Sequence, residues 1–368
     1  MPSSHFLSGA SDIFVGRRAR LTRYLVVPLE GYFPVLARTG PDALAVIFRT
    51  GGTHVGITGT LAVAASGDGG KSWSDPVQIA PRWEDNRNPA FGVNGRGELI
   101  AAWWKAVLHN YRADEHGNLL YDGEAKDAWA SVPALCYRKS TDGGATWGAE
   151  QSYQSALLTL ASPYGRIITL QDGTLLMSVY GPPRTPVEGV RDQVILLRST
   201  DGGDTWGDES LVATGHNETS FAQLPGGRLL AAARSESGHV ATLFSDDLGR
   251  TWSRPVQVTR DGEHPADLTV LQSGRVLLTF GRRIRPMGCG LLLSADGGQT
   301  WDTDREVLLA GDGIEHGDLG YPSTVQLEDG HLVTVLYYAS GSEMTATFRN
   351  AWGQVSCQAI HYREEDIR

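Results

Sequence analysis

Ser199–Trp206, STDGGDTW, is the stretch whose reading decides the fold. Its aspartate can accept backbone N–H bonds across a tight loop, and its glycines permit the positive φ that such a loop needs. A serine or threonine hydroxyl adds a local bond. The tryptophan folds back under the turn and buries a large apolar face. Close copies stand at SGDGGKSW (66–73), STDGGATW (140–147), SDDLGRTW (245–252) and SADGGQTW (294–301). The aspartates fall at 68, 142, 201, 247 and 296, so the spacing runs from 46 to 74 residues. Each interval holds four short strands with their loops, which is one blade of a propeller. Five copies spread around a ring cannot all face one site, so these aspartates read as structural.

A second repeat precedes each turn. It is a hairpin: a strand, a D-G or G-G type turn, then an apolar strand. The copies are YFPVLARTGPDALAVIFRTG, RNPAFGVNGRGELIAAWWKA, SPYGRIITLQDGTLLMSVYG, ETSFAQLPGGRLLAAARSE, HPADLTVLQSGRVLLTFGRR and GYPSTVQLEDGHLVTVLYYA. The expected fold is therefore all-β: one domain spanning 1–368, a six-bladed β-propeller with five aspartate turns. Blades start near residues 32, 86, 162, 217, 264 and 319. The last blade lacks its aspartate turn. Its third strand is read as VSCQAIHYR, and its fourth as RLTRYLVV, borrowed from the N-terminal end to close the ring and remove free sheet edges.

Bulk properties agree with a many-turned β protein. The 368 residues include 45 Gly and 10 Trp, and the net charge is −10. No basic block stands out, which argues against a nucleic-acid partner. No apolar run approaches a membrane span, and the N-terminal segment lacks the apolar core of a signal peptide, so a cytoplasmic location is expected. Cys136, Cys289 and Cys357 have no metal-ligand or CxxC spacing and read as reduced thiols. With no H-E-x-x-H or EF-hand loop, neither a metal nor a cofactor is expected.

Propeller geometry nominates a site without any motif. The first strand of each hairpin lines the central channel, and its opening residues gather at one end with the closing residues of the second strand. The openers include Tyr32, Arg87, Tyr164, Arg166, Glu218, His264, Asp267 and Tyr321. The closers include Arg49, Trp104, Lys105, Tyr180, Arg234, Arg282, Arg283, Tyr337 and Tyr338. Residues 105–130 enlarge the second blade and read as a lid that shapes specificity or as a dimer contact.

The aspartate turns resemble the Asp-box repeats of the sialidase superfamily, and the resemblance covers nearly the whole chain. NETSFAQLPGGRLLAAAR is similar to the sialidase element that opens with Glu and closes with Arg, which implies Glu218 as a base and Arg234 as a substrate ligand. GYPSTVQLEDG is similar to the last inner strand, which implies Tyr321 as the nucleophile. A sialic acid carries a carboxylate on its anomeric carbon, where an anionic nucleophile would be repelled. A neutral phenol with pKa of about 10 suits that carbon once a base stands beside it; sialidases are a recognised Tyr-nucleophile exception among glycosidases.

The chain also departs from the family. Sialidases grip the substrate carboxylate with three arginines, because the guanidinium fork matches it. The first is replaced here by Tyr32-Phe33-Pro34. The third aligns near Gly290, with Arg282, Arg283 or Arg285 as nearby substitutes. The loop where the family carries an acidic proton donor reads RTGGTHVGITGT, in which His54 is the candidate acid. The resemblance thus implies a retaining exo-glycosidase for an anionic sugar, sialic acid or a related acidic sugar. Its expected ligands are Arg234, Arg49, Arg87, Arg166, Arg282, Tyr180 and Tyr338. Two alternatives stay open: a lyase acting on uronate glycans through a His or Tyr base, and a carbohydrate-binding propeller without turnover.

Overall fold

A computed structural model describes residues 10–12, 20–28, 30–52, 54, 59–81, 84–106, 111–113, 119–121, 134–311, 317–339 and 355–367. Each of the six hairpins is formed. The first strands are Tyr32–Arg38, Asp85–Val93, Ser162–Thr169, His216–Gln223, Glu263–Val270 and Gly320–Gln326. Each pairs antiparallel with the strand that follows it. A third and a fourth strand continue each meander outward. The first strands lie one against the next, and Gly320–Gln326 returns to Tyr32–Arg38, so the circuit closes in a propeller-like arrangement.

The apolar pattern dictates this stacking. Second strands such as Leu175–Gly181 and third strands such as Gln193–Ser199 are buried almost throughout, so both faces must be covered. Neighbouring sheets supply the cover. Ile100, Ala102 and Leu135 pack with Leu175, Met177 and Ile195; Leu176 and Leu196 pack with Leu229 and Ala231. The last sheet meets the first through Val333, Val335 and Ala359 against Leu36, Leu44 and Val46. Full burial of one such Leu or Val stabilises the fold by about 1.5–3 kcal/mol.

The N-terminal strand Arg20–Val27 pairs antiparallel with Val355–Arg363, placing Thr22 opposite His361 and Tyr24 opposite Ala359. After Arg363 the chain enters a short 3-10 helix, Glu364–Ile367, where the other sheets carry their aspartate turn. Within 105–130, short strands Tyr111–Ala113 and Leu119–Tyr121 pair with each other; most of that segment, with its expected lid or dimer role, lies outside the described residues. Among the described residues no helix is long and apolar enough to cross a membrane. Cys136, Cys289 and Cys357 are buried and free of disulfides.

The aspartate turns work as wedges. At Asp201, Oδ1 accepts from the Thr205 backbone N–H at 3.0 Å and from Ser199 Oγ at 2.7 Å, while Thr205 Oγ1 donates to Oδ2 at 2.6 Å. The Gly203 N–H donates to Ser199 Oγ at 2.8 Å. Asp68, Asp142, Asp247 and Asp296 repeat these bonds. The hydrogen bonds from Thr146 hold the Asp142 carboxyl down at about 2, and those from Thr300 do the same for Asp296. Gly203 has φ +90°, and a Cβ there would sit 2.7 Å from Ile100 Cδ1. Ile100 belongs to the preceding sheet, so the turn closes its own sheet and seats it against a neighbour.

Candidate functional site

The first strands share a second device that the turn-based reading did not anticipate. Their pairing slips near the opening of every one, between Tyr32 and Val35, Arg87 and Ala90, Tyr164 and Ile168, His216 and Thr219, Glu263 and Ala266, and Gly320 and Ser323. Such bulges re-aim side chains and are common beside active sites. Phe33, Asn88 and Tyr321 sit at the slip with φ of 54°, 50° and 51°, a strained region for residues other than glycine. A proline follows each: Pro34, Pro89 and Pro322. The X-Pro step at the start of a channel strand was the available sequence signal.

Tyr321 and Glu218 meet across the ring. Tyr321 Oη donates to Glu218 Oε1 at 2.6 Å, with both groups buried. Arg234 Nη1 donates to Glu218 Oε2 at 2.5 Å. One carboxylate therefore faces a phenol on one oxygen and a guanidinium on the other. Burial pushes the Tyr321 phenol well above its usual range; Glu218 adds to the rise, and Arg234 and Arg283 oppose it. In this resting arrangement the phenol keeps its proton, and the group placed to remove it is Glu218. Tyr180 stands near the pair: its phenol is raised by burial first and by Glu218 next, and it accepts from Asn88 Nδ2 at 2.9 Å.

An aromatic box surrounds the phenol. Phe33 packs edge-on to Tyr321 with centroids 4.9 Å apart, and Tyr337 stacks on Tyr321 at 5.7 Å. His54 lies on the far side of Phe33, 4.6 Å from its ring. Its Nδ1 is 2.8 Å from Asp318 Oδ1, and Tyr337 Oη donates to the same oxygen at 2.6 Å. Asp318 was missed in the sequence, although GDLGYP places it three residues before Tyr321. Below the box, Phe33, Asn88, Tyr164, Asp267 and Tyr321 enclose about 10 Å³, room for no more than one water. That plug separates the box from a cavity of about 540 Å³ at the other end of the channel.

The expected arginine set is largely engaged elsewhere. Arg49 is wholly buried, lies 3.1 Å from Asp85, and donates to the Asn86 carbonyl. Arg87 lies 3.2 Å from the other Asp85 oxygen and over the Trp104 ring at 4.2 Å. Arg166 lines the opposite cavity; it bonds Asp267 at 3.2 Å and the Leu268 carbonyl. Arg282 is buried 3.0 Å from Glu306 and 3.4 Å from Glu263. Protein carboxylates and carbonyls hold these guanidiniums, because buried charge must be compensated locally. Of the nearby substitutes for the third family arginine, Arg283 has a charge that reaches Tyr321. It donates to the Gly317 and Leu319 carbonyls and to His264 Nδ1 at 3.2 Å. The side chain of Tyr338 lies outside the described residues.

The model of the BNR repeat-like domain family matches residues 51–334. The chain belongs to that family. A sialidase of Bacteroides fragilis (strain YCH46) is 27% identical over 325 residues, covering 77% of this chain and 55% of that sequence. A sialidase of Micromonospora viridifaciens is 28% identical over 255 residues, covering 58% of this BNR protein and 35% of the relative. The chain thus spans about half or less of the curated relatives it matches. A protein of unknown function from Dyadobacter fermentans DSM 18053 superposes with a TM-score of 0.73 at 21% identity, covering 93% of this chain and 98% of that one. The NanB sialidase of Streptococcus pneumoniae gives 0.69 at 14% identity, over 100% of this chain and 72% of that one. At these identities the structural likeness is one of fold, an all-β, sialidase-like arrangement of sheets.

Proposed function

We propose that this BNR-family chain is a retaining exo-glycoside hydrolase of the sialidase type, built on a six-bladed propeller with five Asp-box turns. The observation that carries the reading is the 2.6 Å hydrogen bond from Tyr321 Oη to Glu218 Oε1, made by residues 103 positions apart. As Tyr321 Oη attacks the anomeric carbon, its proton passes to Glu218, the bond to the departing oxygen breaks and that oxygen takes up a proton, leaving Tyr321 joined to the sugar as an aryl glycoside. Water then attacks the anomeric carbon and gives up a proton, the bond to Tyr321 Oη breaks, and the phenol recovers its proton from Glu218. Arg234 keeps Glu218 oriented and offers a positive charge to the sugar. The sugar is an acidic one, sialic acid or a relative, because a neutral phenol paired with a base suits an anomeric carbon that carries a carboxylate. Arg234 and Arg283 are the guanidiniums placed to receive that carboxylate.

The test is a panel of aryl glycosides of sialic acid, other 2-keto sugar acids and uronates. Wild type is expected to cleave at least one, Glu218→Gln to lose roughly 10²–10⁴-fold, and Tyr321→Phe at least as much. Equal turnover by Tyr321→Phe sinks the mechanism. A carbohydrate-binding propeller without turnover is the second reading, favoured by the engagement of Arg49, Arg166 and Arg282 within the protein; it requires binding of a panel sugar with no cleavage.

A further inference from the structure

We propose that Asp318 is the positioning residue for His54, which acts as the general acid of glycosidic cleavage in place of the family's aspartate; this rests on Tyr321 being the nucleophile. Asp318 Oδ1 lies 2.8 Å from His54 Nδ1. A carboxylate oxygen here accepts, so Nδ1 carries a proton and the transferable proton is the one on Nε2. The same oxygen accepts from Tyr337 Oη at 2.6 Å, and Tyr337 stacks on the nucleophile's ring. Acid, anchor and nucleophile are thus fixed to one hairpin, with Gly320 opposite Tyr337 and Asp318 just before Tyr321. The Phe33 ring packs against both the His54 ring and the Tyr321 ring.

Exposure decides which member of the pair meets substrate. The Asp318 side chain is 1% exposed and the His54 side chain 15%. Asp318 cannot reach a glycosidic oxygen from there, whereas an imidazole at the rim can. In the first step His54 Nε2–H protonates the departing oxygen as its bond to the anomeric carbon breaks and the bond to Tyr321 Oη forms. In the second step water attacks the same carbon, its proton returns to His54 Nε2, and the bond to Tyr321 breaks. Each proton lost is regained, and no co-reactant other than water enters. Asp318 takes no proton; it fixes the ring and balances the charge that appears on it.

The test compares nitrophenyl and methyl glycosides of the sugar that the panel above identifies. A nitrophenolate leaves without protonation; methanol does not. Asp318→Asn and His54→Gln are each expected to lower kcat on the methyl glycoside by roughly 10²–10⁴, with the loss on the nitrophenyl glycoside at least tenfold smaller. A merely structural role lowers both equally, and equal losses, or none, overturn the proposal. If Asp318→Asn fails to fold by its melting curve, His54→Gln on the rim decides the matter alone. Tyr321→Phe separates the two readings, since its loss is independent of the leaving group. If wild type cleaves no panel sugar, the hydrolase reading and this inference fall together; if it cleaves one and the leaving-group difference is missing, only this inference falls.

Discussion

Tyr321, Tyr164 and Tyr337 are each buried at the site, and burial pushes all three phenols well above their usual range. In an unfolded chain the same phenols ionise near pH ~10. A group whose pKa is raised by folding contributes stability in full below the unfolded value, and that contribution is lost as pH rises toward the folded one. Melting temperature is therefore expected to fall steeply above pH ~10, and Tyr164→Phe is expected to shrink that fall without altering the neutral-pH mechanism's Tyr321–Glu218 pair. A flat profile between pH 9 and 11.5 would contradict the burial of these rings. The meeting of Tyr321 with Glu218 was legible because both open channel strands, and opening residues must converge. The partners of the arginines were not. Arg49 is claimed by Asp85 of the next sheet and Arg166 by Asp267 two sheets on, and no local spacing encodes which carboxylate a long side chain will find.

At the scale of one turn, five near-identical octapeptides were readable as turns because aspartate, glycine and tryptophan each have a local reason to be there. Their seam-sealing role was not, since it needs Ile100 of the preceding sheet 2.7 Å from where a Gly203 side chain would begin. Gly203→Ala is expected to cost about 1–3 kcal/mol from overpacking, with a further contribution from its positive φ. Ser199→Ala strips the buried Gly203 N–H of its acceptor and is expected to cost about 1–3 kcal/mol. Urea midpoints at constant m-value measure both; an unchanged midpoint for Gly203→Ala would mean the two sheets can part at that seam without loss. The bulges at the channel-strand openings belong to the same scale. Their sequence mark is a proline after Phe33, Asn88 and Tyr321, which stands in plain view at the start of three channel strands.

For the whole molecule, the pairing of Arg20–Val27 with Val355–Arg363 ties the N-terminal strand into the last sheet. Leu21 is fully buried there, against Leu271, Leu291 and Ile360. Leu21→Ala is expected to lower stability by about 2–5 kcal/mol, a disproportionate effect for a residue so near the N-terminal end, read from thermal or urea unfolding; a loss under ~0.5 kcal/mol would show that the closing strand is dispensable. The same pairing sets an order of events during synthesis. Arg20–Val27 is synthesised well before its partner, which arrives more than 300 residues later. At the usual elongation rate of about 5–20 residues per second, that segment waits on the order of tens of seconds with an apolar face uncovered. Contacts of such long sequence separation also form slowly, so this strand stays unpaired and sticky while the rest of the ring is made, and a holding chaperone has its natural handhold there.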